Sequence, residues 1–585
     1  MGRIKVLFFI FISFALILIF GLAHLQIVRY AKYRVMSEDN RLKLVLLKAP
    51  RGTILDRNGK AIVKDVLSFN LSIVYNRIKD KDALAGVINK YFNIPKSKIL
   101  EDIKKSRWRP FSPICIAEDI GTEKAIHMEE IELDYPGLAV EVSTKRKYLY
   151  GNSAAALVGY LGLINSSEFE KLKHYGYYIN DLVGRSGIEE YYDNYLRGYH
   201  GGKQIEVDHR GREMTVLGIL EPVPGKDVQL TIDADLQKYC DGLLVGKRGA
   251  IIAMSPRDGA VLAMASAPSF DPSIFIDKKR NREVRNILRN PEHPLMNRAI
   301  TGVYPPGSVF KAVVASAALA TRSASSHKTF NCPGYFMLGR ARINCWKDDG
   351  HGQMDMADAL KNSCNVYFVN LGLLLGENNI YECAKRFEFG SCTGIDLPAE
   401  KAGILPNRDW KKKNINDEWY KGDTANYSIG QGYLLSSPIQ VAKMMSVFAN
   451  GGYLVKPYIV EKVGDVYVEK EEGKDLGLSV STLNTVREGL RRVVNDPKGT
   501  GMKAKLEDVV VAGKTGTAQT GKNRDHGWFA GFAPFDDARL TVVVFDEFGG
   551  RGGYYAAETA GKVFAKAEEL GILTLGSEKT KEENL

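Results

Sequence analysis

The sequence of 585 residues is poor in cysteine, has a single long apolar run and contains no visible internal repeat. Seven cysteines are too few for a small disulfide-rich scaffold, and the odd number leaves at least one of them unpaired. Without a second long apolar run, a polytopic membrane protein is excluded. The net charge of +11 comes without an arginine-rich arm or zinc-finger spacing, so we expect no nucleic-acid partner.

The composition that remains is ordinary for globular domains, with 45% apolar and 25% charged residues. At about 150 residues per domain, the length predicts roughly three to four domains. Helix-like stretches mix with short strand-like runs such as residues 540–545, which predicts the α+β fold class. Residues 218–227 contain two prolines and predict a boundary between a domain at 31–225 and one at 226–574. Residues 575–585 predict a charged, frayed tail.

Residues 6–28 contain no Asp, Glu, Lys or Arg and are long enough to cross a bilayer core of about 30 Å. A cleaved signal peptide is the alternative, with Gly21-Leu22-Ala23 as a small-x-small cleavage site. Signal peptides have shorter apolar cores, of about 7–15 residues. We therefore predict an uncleaved anchor within residues 1–30 and nearly the whole chain on one side of a membrane. Basic residues flank both ends of the run, so charge alone does not fix the orientation.

A hairpin follows the anchor, because residues 51–63 read as strand, turn and strand with Asn58-Gly59 at the turn. Further short strands are predicted at residues 204–208, 228–232 and 250–254 from their apolar or alternating sequences.

A serine and a lysine are separated by one helical turn at a predicted helix start. Tyr304-Pro305-Pro306-Gly307 breaks the chain, and an apolar, helix-like segment begins at Ser308 and contains Lys311. Positions i and i+3 share a helix face, so Lys311 lies beside Ser308. A neutral lysine amine can take the serine proton, and burial or a nearby cation lowers the lysine pKa enough for that role. Alone the pattern is weak, because Ser325 and Lys328 have the same spacing.

Two further patterns strengthen the prediction that the serine and the lysine belong to a catalytic site. Ser363-Cys364-Asn365 lies in a predicted helical context, and Lys514-Thr515-Gly516-Thr517 follows a strand-like run of valines at 509–511. Each is common by itself. The order Ser-x-x-Lys, Ser-x-Asn, Lys-Thr-Gly within one domain is rare by chance, and a closely similar set marks β-lactamases and penicillin-binding proteins.

The sequence resembles the class B penicillin-binding proteins, the peptidoglycan D,D-transpeptidases. Residues 51–59 resemble the start of that family's periplasmic pedestal, and Gly187-Ile188-Glu189 with Leu196-Arg197-Gly198 resemble a later part of it. Gly430-Gln431-Gly432 and residues 526–534 resemble two stretches of its transpeptidase domain. The resemblance implies a β-rich pedestal of the dimerisation type. It also implies a transpeptidase domain in which helices flank an antiparallel sheet, with an all-helical subdomain.

The resemblance also implies a mechanism. Ser308 would attack the penultimate D-alanine carbonyl of a pentapeptide stem and release the terminal D-alanine, with Lys311 as the base. Ser363 and Asn365 would relay protons and position the substrate amide. An amine from a neighbouring stem would then resolve the acyl-enzyme and form the cross-link. β-Lactams would acylate the same serine.

The third motif would bind the end of the donor stem. By the same resemblance, Lys514 would attract the terminal carboxylate and help to keep Lys311 neutral, and Thr515 and Thr517 would hydrogen-bond that carboxylate next to Gly516. The backbone N–H groups of Ser308 and Thr517 would form the oxyanion hole.

Three cysteines and one histidine form a complete tetrahedral zinc set. They are Cys332, Cys345, His351 and Cys364. From the residues alone, a Cys332–Cys345 disulfide and a buried, unligated Cys364 are equally open. The set resembles the zinc ligands of the elongation-type class B enzymes, as do Trp346-Lys347 and Gly350-His351-Gly352, and this resemblance implies a structural zinc ion behind the second motif.

Other protein classes fit the sequence less well. A β-lactamase would not need an anchor and pedestal, and a membrane sensor would need more spans and an H-E-x-x-H motif. A triad with Asp525 and His526 lacks the G-x-S-x-G turn around Ser308. Septal and sporulation enzymes and a non-catalytic scaffold remain as alternatives. For the elongation branch, the resemblance implies side-wall synthesis at the cytoplasmic membrane with a RodA-type membrane glycosyltransferase as partner.

Overall fold

A computed structural model describes residues 2–108, 110, 113–179, 181–208, 213–521, 524–550 and 552–574. The predicted tail at 575–585 lies outside the described residues. The chain divides into two compact units, each built from three segments. The N-terminal unit comprises Met1–Gly52, Asp65–Lys147 and Arg197–Gly225, and the C-terminal unit comprises Thr53–Lys64, Tyr148–Leu196 and Lys226–Leu585. The domain limits expected from the sequence stay predictions.

The α-helices, in chain order, are α1 (Gly2–Ala23), α2 (Tyr30–Arg41), α3 (Lys81–Phe92), α4 (Lys96–Ser106), α5 (Thr122–Glu132), α6 (Ala155–Val158), α7 (Ser166–Leu172), α8 (Gly187–Tyr191), α9 (Asp193–Leu196), α10 (Ala234–Leu243), α11 (Asn281–Arg289), α12 (Lys311–Ala320), α13 (Met356–Lys361), α14 (Asn365–Leu375), α15 (Glu377–Arg386), α16 (Arg408–Ile415), α17 (Lys421–Tyr427), α18 (Pro438–Ala449), α19 (Val480–Asn495) and α20 (Tyr555–Glu569).

The strands are β1 (Leu42–Leu47), β2 (Ile54–Leu55), β3 (Ala61–Ile73), β4 (Ile114–Ala117), β5 (Leu138–Tyr148), β6 (Leu161–Leu163), β7 (Leu182–Gly184), β8 (Gly201–Val207), β9 (Glu213–Leu220), β10 (Val228–Leu230), β11 (Gly249–Met254), β12 (Val261–Ala267), β13 (Phe330–Cys332), β14 (Tyr335–Leu338), β15 (Ala341–Asn344), β16 (Gly352–Met354), β17 (Tyr453–Leu454), β18 (Val460–Val463), β19 (Val466–Tyr467), β20 (Lys474–Asp475), β21 (Ala512–Ala518), β22 (His526–Ala533) and β23 (Leu540–Asp546). Mixed helices and strands in both units confirm the predicted α+β class.

The N-terminal unit begins with the apolar helix α1, which a π-helical turn, His24–Val28, extends. Among the described residues, one helix, Gly2–Val28, is long and apolar enough to cross a membrane. None of the α1 side chains is buried. β1, β8 and β9 form a three-stranded antiparallel sheet. Elsewhere in this unit, α3, α4 and α5 bury apolar side chains such as Leu84, Ile99 and Met128 in one core with β3 and β5.

A five-stranded antiparallel sheet with the order β12-β11-β23-β22-β21 lies at the centre of the C-terminal unit. Its strands read as nearly continuous apolar runs because helices cover both faces. Ile251 and Ala253 of β11 point towards the core that contains α10 and α20, and Ala250 and Ile252 point towards the core that contains α12 and α18. β21 is the edge strand, and helices α12 to α18 form the predicted helical part beside the sheet.

The local predictions were tested by the strand pairings. The hairpin at 51–63 is confirmed, because Ile54 pairs with Val63 across a turn that contains Gly59 at φ +81°. The strands at 204–208, 228–232 and 250–254 correspond to β8, β10 and β11. The expectation of a strand at 509–511 is wrong, since β21 begins at Ala512 and carries the third motif itself.

Candidate active site

Ser308 lies in a 3-10 turn, Gly307–Phe310, that leads directly into α12. Gly307 has φ +56° and donates its N–H to the carbonyl oxygen of Gly430 at 2.9 Å. A Cβ atom on Gly307 would lie 2.7 Å from the carbonyl oxygen of Thr517, so this turn needs glycine. The turn therefore holds Ser308 against the end of edge strand β21.

Lys311 is fully buried on the first turn of α12. Its Nζ donates to the Ser363 carbonyl oxygen and to Asn365 Oδ1, each at 2.8 Å, and lies 3.5 Å from Ser363 Oγ. Burial lowers the Lys311 pKa to about 8. The helix brings this amine beside Ser308, and the second motif fixes its direction. With a pKa of about 8, a sizeable fraction of this amine is neutral at physiological pH and can act as a general base.

The second motif occupies a sharp turn between α13 and α14. Ser363 has φ +52°, a conformation that costs energy in a residue with a side chain. Cys364 is the N-cap of α14, and its Sγ accepts the Tyr367 N–H at 3.4 Å. Asn365 donates its Nδ2 to the Asn344 carbonyl oxygen at 3.3 Å. The motif was expected in a helical context, whereas only Asn365 is helical and the strained turn aims Ser363 at Lys311.

The third motif lies on β21, with Lys514 fully buried and Thr515 largely buried. Lys514 Nζ donates to the Thr515 carbonyl oxygen at 3.0 Å. Burial, and then repulsion from Lys311, lower the Lys514 pKa well below its usual value. Both lysines therefore lose their proton more readily than an exposed lysine does. Thr515 Oγ1 donates to Thr500 Oγ1 at 2.9 Å, a contact that sequence reasoning did not include.

Thr517 presents its backbone to the catalytic turn. Its carbonyl oxygen accepts from Gln431 Nε2 at 3.4 Å, on the side of β21 away from β22. Within a strand, the N–H and C=O of one residue point to the same side. The Thr517 N–H therefore faces the side where Ser308 lies. Gly516 packs closely here, since a Cβ atom would lie 3.1 Å from the Pro306 carbonyl oxygen.

The four predicted metal ligands lie together. The donor atoms of Cys332, Cys345, His351 and Cys364 all fall within 4.8 Å of one another. His351 Nδ1 is 3.6 Å from Cys332 Sγ and 3.5 Å from Cys345 Sγ, and the sulfurs of Cys345 and Cys364 are 4.0 Å apart. Cys332 and Cys345 are not joined by a disulfide in the structure.

These separations suit a tetrahedral ion. Zinc bonds of about 2.3 Å to sulfur and 2.05 Å to nitrogen give S···N edges of about 3.6 Å and S···S edges of about 3.8 Å. A hydrogen bond shared with Cys364 lowers the pKa of Cys345, and bonds to His351 and to backbone N–H groups add to that effect. A low pKa favours the thiolate, which is the form that binds metal.

Trp346 connects this cluster to the second motif. Its ring packs edge-on against His351 with centroids 5.2 Å apart, and its Nε1–H donates to the Asn362 carbonyl oxygen at 2.8 Å. Asn362 immediately precedes Ser363, so Trp346 connects the cluster to the strained turn.

The Asp525–His526 triad finds no support in the geometry. His526 is buried, and its Nδ1 accepts the backbone N–H of Phe548 at 3.1 Å. A triad histidine must donate from this nitrogen to a carboxylate. Burial also lowers the His526 pKa. His526 instead packs edge-on against Tyr304 in the sheet end.

The structure thus brings all five predicted catalytic residues into one cleft and places the four metal-ligand candidates behind it. Sequence reasoning missed the roles of Thr500, Asn344 and Trp346, and it quoted Gly430 and Gln431 without a role. These residues contact the motifs across long stretches of chain, through backbone carbonyls or single side-chain hydrogen bonds, and a single sequence carries no signal for such contacts.

Two family models match the chain. A model described as the penicillin binding protein transpeptidase domain matches residues 249–567, and one described as the penicillin-binding protein dimerisation domain matches residues 46–230. The peptidoglycan D,D-transpeptidase MrdA of Haemophilus influenzae is 34% identical over 576 residues, which cover 94% of this chain and 88% of that protein. This chain belongs to the MrdA family of peptidoglycan D,D-transpeptidases.

Two solved structures agree with the fold. The Helicobacter pylori complex between Penicillin-Binding Protein (PBP2) and MreC gives a TM-score of 0.78 at 28% identity, covering 91% of this chain and 99% of the matched chain. A structure entitled "Structural coordination of polymerization and crosslinking by a peptidoglycan synthase complex" gives 0.77 at 29% identity, covering 99% and 100%. The predicted family and enzyme class, an elongation-type serine D,D-transpeptidase, are confirmed.

Proposed function

We propose that this chain cross-links peptidoglycan stems through an acyl-enzyme on Ser308. The observation that carries this assignment is the Lys311 amine, which is fully buried, has a pKa of about 8 and is held 2.8 Å from both Ser363 O and Asn365 Oδ1. Ser308 and Lys311 are neighbours on the first turns of one helix. No other described lysine combines these features with an adjacent serine.

In the acylation step, Ser308 Oγ bonds to the penultimate D-alanine carbonyl carbon while Lys311 takes the hydroxyl proton. The backbone N–H groups of Ser308 and Thr517 stabilise the oxyanion, at about 3 kcal/mol for each donor. The peptide C–N bond then breaks, and the proton passes from Lys311 by way of Ser363 to the leaving amine. Terminal D-alanine then departs. A β-lactam acylates Ser308 by the same step, in which its ring C–N bond breaks.

The terminal carboxylate of the donor stem binds along β21. A carboxylate beside Lys514 favours the ammonium form and so raises its pKa again. The substrate carboxylate therefore supplies the countercharge for the Lys514 ammonium group. Thr517 Oγ1 accepts the Gly552 N–H at 3.4 Å and can donate its own proton to the carboxylate. Thr515 must release its hydrogen bond to Thr500 before it can donate in the same way.

In the second step, the neutral amine of a neighbouring stem attacks the acyl carbonyl. The bond from that carbon to Ser308 Oγ breaks, the new amide forms, and the amine proton returns to Ser308 through Lys311. The Lys311 amine is thus neutral at the start and at the end of the catalytic cycle. Transfer to water by the same route would give carboxypeptidase activity.

Cys332, Cys345, His351 and Cys364 are the residues that would hold a zinc ion. All four positions of a tetrahedral ion are filled by protein, so the ion would supply a structural cross-link and leave no open position for substrate or water. Its ligand Cys364 lies between Ser363 and Asn365. The cluster would therefore fix the direction in which Asn365 and the Ser363 carbonyl hold Lys311.

We place α1 in the cytoplasmic membrane, with the two units on its outer side where stem peptides are found. The sheet of β1, β8 and β9 follows the anchor and exposes apolar side chains; they include Leu44, Met214, Leu217, Ile219 and Leu220. Exposed apolar patches mark interaction sites. This surface supports a membrane-associated partner of the elongation machinery, such as a RodA-type glycosyltransferase, and similar chains are described with MreC and in a peptidoglycan synthase complex.

The proposal is tested by product analysis on the full chain in detergent, with a synthetic pentapeptide donor that ends in D-Ala-D-Ala and an amine acceptor. Release of D-alanine and formation of the cross-linked dimer are measured by mass spectrometry. Lys311→Ala should abolish both products. Lys328→Ala is the matched control, because Lys328 has the same spacing from a serine, and it should retain them. Normal product formation by Lys311→Ala would refute the assignment.

A further inference from the structure

The loop between α19 and β21 carries a threonine, Thr500, that contacts the third motif. Its neighbours Gly499 and Gly501 let the loop follow the end of α19 closely. The Gly501 N–H donates to the Val493 carbonyl oxygen at 2.9 Å, and a Cβ atom on Gly499 would lie 2.3 Å from the same oxygen. The backbone on both sides of Thr500 is thus fixed against the end of this helix.

The same loop is bound to α13, the helix that leads into the second motif. Lys361 Nζ lies 3.3 Å from Asp496 Oδ2 and 3.2 Å from Asp358 Oδ1. The carbonyl oxygen of Lys361 accepts from Thr500 Oγ1 at 3.3 Å. Lys361 is two residues before Ser363. Thr500 therefore joins the segments that carry the second and the third motif.

Two hydroxyl groups form a hydrogen-bond chain between these segments. Thr515 Oγ1 donates to Thr500 Oγ1 at 2.9 Å, and Thr500 Oγ1 donates to the Lys361 carbonyl oxygen at 3.3 Å. A hydroxyl group has one proton to donate and two lone pairs that accept. In this arrangement, the Thr515 proton points to Thr500 and is not available to a substrate.

A carboxylate at Thr515 requires the opposite direction of the chain. A carboxylate only accepts hydrogen bonds, so Thr515 has to turn its proton towards the substrate. Its oxygen then has a lone pair free on the side of Thr500, across the same 2.9 Å. Thr500 can turn its own proton to that lone pair and give up the longer bond to Lys361. Only the hydroxyl protons rotate, and each stays on its own oxygen.

This reversal also strengthens the bond to the carboxylate. A hydroxyl group that accepts a hydrogen bond becomes a better donor, because the bonds of a chain polarise one another. A hydrogen bond to an ionised acceptor is about twice as strong as one between neutral groups. A Thr515 hydroxyl that accepts from Thr500 thus binds a carboxylate more tightly than an isolated Thr515 hydroxyl would.

The backbone at Gly552 and Gly553 packs against the threonines of this region. A Cβ atom on Gly553 would lie 2.7 Å from the Thr500 carbonyl oxygen and 3.9 Å from Thr515 Cγ2. Gly552 donates its N–H to Thr517 Oγ1 at 3.4 Å. This packing holds Thr500 and Thr515 at hydrogen-bond distance while their protons rotate.

We propose that Thr500 is a positioning residue for the terminal carboxylate of the donor stem. It accepts from Thr515 before the carboxylate binds and donates to Thr515 afterwards. The inference rests on the proposed function, because it concerns how that reaction selects its donor. A terminal amide has an N–H that Thr515 Oγ1 can accept without reversal of the chain. Thr500 therefore favours donors with a free carboxylate over donors with an amide.

The test compares two D-alanyl thioester donors that differ only in the terminal group. One ends in mercaptoacetate and the other in mercaptoacetamide, and loss of the thioester absorbance gives kcat/KM for each with the full chain in detergent. The acid-to-amide ratio of kcat/KM does not depend on the fraction of protein that is folded. Thr500→Val has nearly the same shape but no hydroxyl group, and it should lower this ratio about tenfold. Thr500→Ser keeps the hydroxyl group and should retain the wild-type ratio.

Two controls separate positioning from folding. Thr485→Val removes a hydroxyl group that donates to the Ser481 carbonyl oxygen within α19, and it should leave the ratio unchanged. Thr515→Val should lower the ratio by itself, and adding Thr500→Val to it should lower the ratio no further. An unchanged ratio for Thr500→Val, an equal loss with both donors, or a further loss in the double variant would overturn the inference. A wild-type chain that reacts with neither donor would instead contradict the proposed function.

Discussion

Replacing Cys364 with serine separates two roles of one sulfur atom. Cys364 caps α14 by accepting the Tyr367 N–H at 3.4 Å, and its Sγ lies 4.0 Å from Cys345 Sγ in the proposed zinc site. Serine is among the best N-cap residues, so Cys364→Ser keeps the cap. A serine hydroxyl does not replace a thiolate as a zinc ligand. The substitution therefore removes the ligand and little else.

The two roles predict different costs. Structural zinc contributes about 10–16 kcal/mol of apparent binding free energy, all of which is lost when the ion no longer binds. If the thiol only packs and caps, serine keeps the cap, and burying its hydroxyl costs about 1 kcal/mol. For a domain of this size, each kcal/mol lowers the melting temperature by about 1–2 °C. We expect a fall of about 10–30 °C if the substitution removes zinc and about 1–2 °C if Cys364 does not bind it.

The assay combines metal analysis with thermal unfolding in the presence and absence of EDTA. The wild-type chain should hold one zinc ion, and EDTA should lower its melting temperature by about 10–30 °C. Cys364→Ser should lack zinc, melt lower and not respond to EDTA. Cys240→Ser is the matched control, because Cys240 is equally buried but lies outside the cluster. A Cys364→Ser chain that keeps zinc and its EDTA response would refute the reasoning.

Three further predictions concern the catalytic cleft and are read out as the rate of labelling by a fluorescent penicillin. The Lys311 pKa lies at about 8, below its usual 10.5, and only the neutral amine acts as base. The labelling rate should therefore rise with pH and level off above pH 8. A rate that does not change with pH would contradict this role. Asn365→Ala removes an acceptor of the Lys311 amine and should slow labelling about 10–100-fold, and a normal rate would exclude that positioning role. Gly430→Ala would place a Cβ atom 2.0 Å from the Gly307 carbonyl oxygen and should cut the labelling rate at least about tenfold. Gly432 also has a positive φ, but a Cβ atom there would have its nearest contact at 3.5 Å, so Gly432→Ala should cost only about 1 kcal/mol of stability.

The parts of the molecule that local sequence signals determine could be predicted. The long apolar helix at the N-terminus follows from one uncharged run, and the hairpin at 51–63 follows from an Asn-Gly turn between apolar strands. The order of the three motifs identified the cleft, because its reacting groups come from short, recognisable patterns. These features need no knowledge of how distant segments pack.

The rest depends on contacts between distant segments. The strand expected at 509–511 does not form because Val510 would face Pro534, which has no N–H for the ladder. The left-handed conformation of Ser363 arises from the turn between two helices. The bond between Thr515 and Thr500 joins a strand to a preceding loop. A single sequence does not encode such pairings in any local pattern.

The same holds for the two compact units. Thr53–Lys64 and Tyr148–Leu196 pack with the C-terminal unit, although they precede it in the chain and alternate with segments of the N-terminal unit. The turn residues and the apolar alternation of each segment were visible in the sequence. Which unit each segment joins depends on its buried face, and this appears only once the segments have packed.

The account rests on Ser308 as the nucleophile, and one measurement tests that directly. The full chain is incubated with a penicillin, digested and mapped by mass spectrometry, with Ser325→Ala as the control for the serine that has the same spacing to a lysine. The account predicts one penicillin adduct per chain, located on Ser308 in the wild type and in Ser325→Ala, and none in Ser308→Ala. An adduct on another residue, or undiminished labelling of Ser308→Ala, would contradict it.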